Sequence, residues 1–229
     1  MKKQCVDANK KIKELGLVKL TWGNVSLLSE CGTLVYIKPS GVAFETMVED
    51  DISVVNLKTG ELLEGKKQSV DTNIHLEIYR EFDDVKSIIH THSKYATSHA
   101  QAQTPIRCLG TTHADYFDGD IPVTRNLTKN EIAKNYEMNI GKCVVEWFQE
   151  NKSLPTRKGA VLLPSHGVLT FGKSADQALE NAIVLEEVAE MNILSNMLNS
   201  SIAIGRHKQQ LFKKHYDRKN GVNKYYGQG

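Results

Sequence analysis

The sequence predicts an α/β protein in which helices cover a largely antiparallel or mixed β-sheet. Helical and strand-like segments alternate along the 229 residues, and several neighbouring strand-like runs are separated only by short turns. Short turns join antiparallel strands, whereas parallel strands need long crossover connections. The length allows one sizeable hydrophobic core and requires no second domain, so we expect a single domain over residues 1–229.

The first half of the chain supplies most of the predicted strands. A helix is expected over residues 2–15, where Val6, Ile12 and Leu15 are the apolar anchors. Residues 57–61 are typical of a hairpin turn that leads into a further short strand. The other strands predicted here are 17–20, 25–28, 34–38 and 52–56.

Helices are more frequent among the predictions for the second half. Two helix starts carry capping signals, because Thr128 is followed three residues later by Glu131, and Ser174 by Gln177. The second of these opens a long helix whose apolar residues follow helical spacing. The remaining expected elements are helices at 71–81, 97–102 and 127–149 and strands at 87–92, 160–163 and 168–171.

Composition argues against nucleic-acid and membrane partners. The formal net charge is only +2, and the basic residues are scattered apart from Lys213, Lys214, Arg218 and Lys219 near the C-terminus, which we expect to form a solvated surface. No apolar run reaches the roughly 20 residues of a membrane span, and no signal peptide is expected. The four cysteines stand far apart without paired spacing, which favours a reducing, cytoplasmic setting.

Two histidines in a predicted strand are the sharpest chemical feature of the sequence. His90 and His92 belong to the run 87–92, and residues two apart on a strand point to the same side. Burying an imidazole without a partner is costly, whereas neutral imidazole is a preferred ligand of zinc. The pair by itself is a weak signal, but it predicts two ligands for one ion.

A third imidazole completes a candidate metal site. His166 lies in a Pro-Ser-His-Gly turn between two predicted strands, and Gly167 allows the chain to turn sharply there. Three histidines with an open coordination position are typical of catalytic zinc. Asp71, at the start of a predicted helix, is expected to add an oxygen ligand, to cap the helix, or both. His113 is the competing candidate for a ligand.

Two glycine-containing turns and one helix start are candidate phosphate sites. Backbone amides in such turns bind anions, and the start of a helix favours them through its dipole. Lys38 adds a positive charge beside the second turn. Without a metal site nearby, each of these turns would be interpreted as structural. The candidate residues are Gly23, Asn24, Ser40, Gly41 and Ser69.

Acid–base chemistry has two candidate locations. Asp115 lies in a polar segment together with His113, and a carboxyl group can exchange a proton with a developing alkoxide. The C-terminal tail contains Tyr225 and Tyr226, which a plain disordered terminus would not require. A tail folded onto a groove for structural reasons is the alternative explanation.

Eight segments of the chain, in order, resemble the class II aldolase/adducin-like family, and within it the L-ribulose-5-phosphate 4-epimerases. The resemblance extends over nearly the whole sequence. Its most distinctive parts are Trp22-Gly23-Asn24-Val25-Ser26, His90-Thr91-His92-Ser93 and Thr112-His113-Ala114-Asp115-Tyr116-Phe117. The full set is 20–26, 37–42, 69–72, 90–93, 110–117, 165–167, 182–189 and 225–228.

The resemblance implies a three-layer α/β/α sandwich with a mainly antiparallel central sheet, one Zn²⁺ per subunit and a homotetramer with active sites between subunits. By this resemblance the metal residues are Asp71, His90, His92 and His166, the proton-transfer residues are Asp115 and Tyr226, and the substrate residues are Gly23, Asn24, Lys38, Ser40, Gly41, Ser69 and Val70. Tyr226 would enter from a neighbouring subunit. Val70 departs from the family pattern, in which a serine often stands there, so its contact with phosphate would come from the backbone amide.

The implied activity is interconversion of L-ribulose 5-phosphate and D-xylulose 5-phosphate. C4 is not adjacent to the carbonyl group, so its inversion requires that the C3–C4 bond break and re-form beside a Lewis-acidic metal. Asp71 favours an epimerase over the alternative, a class II sugar-phosphate aldolase, because aldolases of the family tend to carry glutamate there. A non-catalytic interaction module would lack the metal histidines, and a generic zinc hydrolase would carry a helical His-Glu-x-x-His. The sequence leaves open the pathway, arabinose or ascorbate-type sugars, and the metal, since manganese or cobalt would also fit.

Overall fold

Seven strands form one sheet within residues 1–222 and 224–225, the part of the chain that the computed structural model describes. The strands are β1 (Asn24–Leu28), β2 (Leu34–Ile37), β3 (Ser53–Asn56), β4 (Leu62–Glu64), β5 (Ser87–Thr91), β6 (Ala160–Leu163) and β7 (Gly167–Gly172). Their order across the sheet is β4-β3-β2-β1-β5-β7-β6, and each neighbouring pair is antiparallel. The expected antiparallel sheet is confirmed.

Helices cover both faces of this sheet. They are α1 (Lys2–Glu14), α2 (Thr72–Glu81), α3 (Lys94–Gln101), α4 (Thr111–Tyr116), α5 (Lys129–Ala133), α6 (Tyr136–Glu150), α7 (Pro155–Lys158), α8 (Ala175–Leu198) and α9 (Arg206–Asn220), with one 3-10 turn at Glu49–Asp51. No helix among the described residues has both the length and the apolar character needed to cross a bilayer.

The three-layer arrangement follows from the alternation of side chains along the strands. On β5, Ile88 is buried in a cluster that includes residues of α2 and α6, whereas its neighbour Ile89 is buried in a cluster that includes residues of α1 and α8. A third cluster brings α3 and the middle of α8 against β6 and β7. The expected α/β/α sandwich is therefore confirmed.

The strand expected at residues 17–20 is wrong, because this segment turns back on the helix before it. The amide of Leu17 donates to the carbonyl of Ile12 at 3.0 Å, and the side chains of Leu17 and Val18 are buried. Leu20 has a left-handed backbone conformation (φ 49°), which a strand does not contain. The apolar residues here cover the core without entering the sheet.

The helix expected over 127–149 is divided into α5 and α6 at Asn135, whose backbone is left-handed (φ 55°). Both capping predictions are confirmed. The hydroxyl of Thr128 accepts from the amide of Glu131 at 3.3 Å, and the Glu131 carboxylate accepts from the amide of Thr128 at 2.7 Å. Ser174 accepts from the amide of Gln177 at 3.2 Å.

Helices α4, α7 and α9 were absent from the sequence predictions. Helix α9 carries the basic cluster that was expected to be a solvated surface. That expectation is wrong for half of the cluster, since Arg218 and Lys219 are partly buried while Lys213 and Lys214 are exposed. Helix α9 packs against α4, so the cationic end of the chain covers the segment that contains Asp115.

Candidate metal centre

The register of the sheet brings three histidines together. His90 lies on β5, and His92 follows the last residue of that strand. Thr91 of β5 pairs with Val168 of β7, so the turn that precedes β7 lies beside His92. That turn contains His166, and the three ring centroids are 4.9, 4.9 and 5.1 Å apart.

The turn that holds His166 is tight on both sides of the histidine. The amide of His166 donates to the carbonyl of Leu163 at 3.1 Å, and Ser165 between them is left-handed (φ 55°). A Cβ atom on Gly167 would lie 2.6 Å from the carbonyl oxygen of Thr91 and 3.1 Å from the imidazoles of His90 and His92. Glycine is therefore required after His166 because the backbone passes directly against the other two rings.

The nitrogen atoms of the three imidazoles suit a zinc ion. Nδ1–H of His90 donates to the carbonyl of Val168 at 3.0 Å, which leaves Nε2 with its lone pair, and this Nε2 lies 3.0 Å from Nε2 of His92. The ligand atoms of His90, His92 and His166 all lie within 4.8 Å of one another, and Nδ1 of His166 is buried without a hydrogen-bond partner in the described structure. Imidazole nitrogens are preferred ligands of zinc, and a set of three leaves an open coordination position.

Burial keeps two of these histidines neutral. The pKa of His166 is lowered to about 4, first by burial and then by the neighbouring His90 and His92. The pKa of His92 is lowered for the same reasons, first by burial and then by His90. A metal ligand must be an unprotonated imidazole, so both rings have the form that a cation requires at neutral pH.

Asp71 lies in the same cavity as a charged carboxylate. Burial favours its neutral form, but the nearby His90, His75 and His166 outweigh burial and hold the pKa below its ordinary value. Oδ2 accepts from Nδ2 of Asn24 at 2.8 Å, so side chains bind the carboxylate in place of the helix amides that a cap would use. Among the described residues, the close group of metal donors consists of the three histidines alone.

A cavity of about 280 Å³ opens above the histidines. All seven expected substrate residues line it, and so do Asp71, His92 and His166, while His90 is buried beneath them. The lining also contains Thr21, Trp22 and Pro39, which belong to the same sequence motifs but were not selected. Gly23 has φ 80°, and a Cβ atom there would lie 2.7 Å from the carbonyl of His90, so only glycine fits.

The two phosphate-binding candidates after β2 and before α2 are held side by side by backbone pairing. Pro39 forms an isolated antiparallel bridge with Gln68, and the amide of Ser40 donates to the carbonyl of Lys67 at 2.9 Å. This contact places the Ser40-Gly41 turn next to Ser69. The residues of these two separate sequence motifs thus form one surface of the cavity.

Asp115 lies elsewhere, on α4 where that helix packs against α9, and is not among the residues that line the cavity. Its Oδ1 accepts from Nδ1 of His215 at 3.1 Å, and its Oδ2 accepts from Nη2 of Arg218 at 3.1 Å. His215 and Arg218 were not predicted as partners of Asp115, since no local pattern links residues about 100 positions apart. Tyr226, the other expected proton-transfer residue, lies outside the described residues.

His113 is not a member of the metal group. It is buried on α4, its Nε2–H donates to the carbonyl of Gly119 at 2.8 Å, and burial lowers its pKa to about 4. His75 and His99 are buried as well, and neither belongs to the metal group among the described residues. Among the described residues, the three histidines predicted as metal ligands are the ones whose donor atoms lie close together.

A larger cleft lies away from this chemistry. It has a volume of about 820 Å³ and lies between α1 and the start of α8, with Asp7, Lys11 and Asp176 in its lining. No histidine lines it, and its charges are exposed and of mixed sign. The smaller cavity above the histidines is the better candidate because metal donors and anion-binding turns converge there.

Comparison with known proteins agrees with this fold. Over residues 3–193 the sequence matches the family described as Class II Aldolase and Adducin N-terminal domain. Among solved structures it is similar to an L-fuculose 1-phosphate aldolase (27% identity, TM-score 0.76), with 93% of this chain and 94% of the other covered. YgbL of Klebsiella pneumoniae, whose description names aldolase, epimerase and decarboxylase activities, is 25% identical (TM-score 0.70; 92% and 96% covered). L-fuculose-1-phosphate aldolase from Thermus thermophilus shares the fold at 23% identity (TM-score 0.67; 87% and 96% covered).

Proposed function

The chain belongs to the class II aldolase and adducin N-terminal domain family, and we propose that it is a zinc-dependent L-ribulose-5-phosphate 4-epimerase. The observation that carries this proposal is the convergence, in one cavity, of three imidazoles with turns suited to a phosphate. Its substrate is a sugar phosphate. We further propose one catalytic domain over residues 1–229 and a cytoplasmic location.

The reaction requires that the C3–C4 bond break. A base removes the proton of the C4 hydroxyl group, C4 becomes the aldehyde of glycolaldehyde phosphate, and the bond electrons pass into an enediolate on C2 and C3. Zinc held by His90, His92 and His166, with Asp71 beside them, would supply the Lewis acidity that stabilises this negative charge. The aldehyde then rotates, presents its other face and accepts the same electron pair back. The new alkoxide is protonated, so atoms and charge balance without a co-reactant.

Residues around the cavity hold the two fragments in place. The turn at Ser40 and Gly41, with Ser69 and the amide of Val70, binds the phosphate group and keeps the aldehyde from leaving while it rotates. Asn24 holds the Asp71 carboxylate through its amide nitrogen. Lys38 contributes a positive charge at the cavity wall, and it is the only lysine or arginine among the described residues that line the cavity.

Two proton-transfer groups are needed on opposite faces of the aldehyde, and we assign them to Asp115 and Tyr226. Asp115 does not line the cavity of its own chain, so its participation requires a second subunit. The rim of the cavity supports such an arrangement, because Trp22 and Val70, which line it, expose 55 and 63% of their surface. We therefore propose a homotetramer in which Asp115 and Tyr226 complete the site of a neighbour.

A class II sugar-phosphate aldolase is the second candidate function. The similarity to an L-fuculose 1-phosphate aldolase over nearly the whole chain favours it. An aldolase would use the same bond cleavage but release both fragments. Asp71 favours the epimerase, because a short carboxylate held by Asn24 stays with the metal and does not extend towards the substrate.

Incubation of the zinc-loaded protein with L-ribulose 5-phosphate distinguishes these functions. An epimerase forms D-xylulose 5-phosphate without free glycolaldehyde phosphate, whereas an aldolase accumulates the aldehyde in proportion to the substrate consumed. Chelation should abolish either activity, and added zinc should restore it. The absence of both products with a zinc-loaded, folded protein would refute the proposal. As a control, His207→Ala changes a histidine at an exposed helix position and should keep the activity of the unsubstituted protein.

A further inference from the structure

Lys38 is a buried cation that the described structure leaves without a carboxylate partner. Only 2% of its surface is exposed, and no ion pair within 4.0 Å involves it among the described residues. Its Nζ donates to the carbonyls of Thr21 at 3.3 Å and Pro39 at 3.4 Å. Both hydrogen bonds are long for an ammonium group, so they hold it weakly.

The face of an aromatic ring provides the remaining contact. Nζ of Lys38 lies 4.6 Å from the centroid of the Phe44 ring. An aromatic ring attracts a cation over its face, and the attraction is stronger where water is excluded. Phe44 is fully buried in the cluster that includes Ile12, Val25 and Met47, so the ring is held in place by the core.

The geometry points to Phe44 as a positioning residue that holds the Lys38 ammonium charged and directed at the cavity, where an anionic part of the substrate binds. This inference rests on the proposed function only for the anion. The contact itself is present without substrate. A leucine at position 44 would fill much of the same volume but would lack the electron-rich face.

The charge of Lys38 depends on every group that faces it. Burial lowers its pKa to about 8, and Asp71 opposes this effect. His92 and His166 are the other titratable groups in the cavity lining, and the carbonyls of Thr21 and Pro39 contribute dipoles. Removal of the ring face destabilises the charged form, so the pKa of Lys38 should fall further.

The test is an NMR titration of the Lys38 side chain in the zinc-loaded full-length protein without substrate, with the signal assigned by its loss in Lys38→Met. Phe44→Leu should lower the Lys38 pKa by about one unit, a tenfold change in the ionisation constant. Phe44→Tyr retains a ring and should shift it less. Met47→Leu, equally buried in the same cluster, is the control and should leave it unchanged.

Fluorinated phenylalanines at position 44 keep the proposal testable if Phe44→Leu does not fold. Fluorine withdraws electron density from the ring face with little change in volume, so one, two and three fluorine atoms should lower the Lys38 pKa in steps, with kcat decreasing in parallel at alkaline pH. An unchanged pKa across this series, or an equal shift in Met47→Leu, would overturn the inference. Since the titration needs no turnover, a protein inactive on ribulose phosphate that still shows the graded shift would refute the proposed function alone.

Discussion

The three histidines and Asp115 are held by different kinds of structure. The histidines lie on or beside β5 and β7, central strands whose positions are set by ladders of backbone hydrogen bonds. Asp115 is held by side chains of a helix about 100 residues later, through hydrogen bonds to His215 and Arg218. A sheet defines its geometry without the charges of side chains. The contact of Asp115 depends on those charges, so the two regions should respond differently to substitution, acid and salt.

The largest effect is expected from removal of a metal ligand. Partners that only support metal ligands change affinity by about 10–100-fold, so His166→Ala should weaken zinc binding by at least about 100-fold and abolish turnover. Zinc affinity is measured by competition with a chelator. Arg218→Met should retain zinc. Loss of zinc in both variants would contradict the separation of the two regions.

Acid should act mainly through the buried histidines. Burial lowers the pKa to about 3 for His75 and to about 4 for His166 and His113, so the folded protein binds fewer protons than the unfolded chain once the pH falls below about 6.5. The contribution of these histidines to the free energy of unfolding is fully present above that pH and decreases towards pH 4. Between pH 7 and 5 the metal-free protein should lose on the order of 2 kcal/mol for each such histidine.

Urea unfolding at a series of pH values measures this loss. The dependence should be shallower in metal-free His166→Ala, which lacks one of these imidazoles, and unchanged in Arg218→Met. A free energy of unfolding that is constant from pH 7 to 5 would show that the histidines are not held neutral. Salt concentration should be kept constant across the series, because the Asp115 contact responds to it.

Arg218→Met should weaken the other region. It removes two hydrogen bonds to the Asp115 carboxylate, and a partly buried charged partner of this kind contributes about 1–3 kcal/mol. Turnover should fall while zinc content stays the same. The control is Lys214→Met, an exposed cation on the same helix. If high salt weakens Arg218→Met as much as the unsubstituted protein, charge is not what holds Asp115.

The smallest effect is expected from a substitution that lies outside both the histidine region and the Asp115 region. Thr128→Ala removes the cap of α5 and should cost about 1 kcal/mol in the free energy of unfolding. Zinc affinity and turnover should not change, since the capping box lies on an exposed helix. A change in zinc affinity of the size seen in His166→Ala would mean that general destabilisation, and not the loss of a ligand, governs the metal site.

Local patterns were sufficient for most elements and for the pair His90 and His92. Short apolar runs between turns predicted most of the strands, and the capping residues Thr128 and Ser174 marked two helix starts. Local patterns gave a wrong prediction at residues 17–20, where the apolar side chains of a turn pack into the core. They also missed α9, whose polar sequence lacks an apolar stripe. The spacing of His90 and His92 carried information because a strand converts it directly into geometry.

The sequence by itself determined which chemical groups are available: three imidazoles, a carboxylate, a lysine and glycine-containing turns. It also determined the α/β class, since alternation and capping act between near neighbours. Only the tertiary structure decided that His166 joins the strand pair, that Asp115 lies away from its own cavity, and that Phe44 lies under Lys38. Those contacts join residues that sheet register and helix packing bring together, and no local periodicity encodes them.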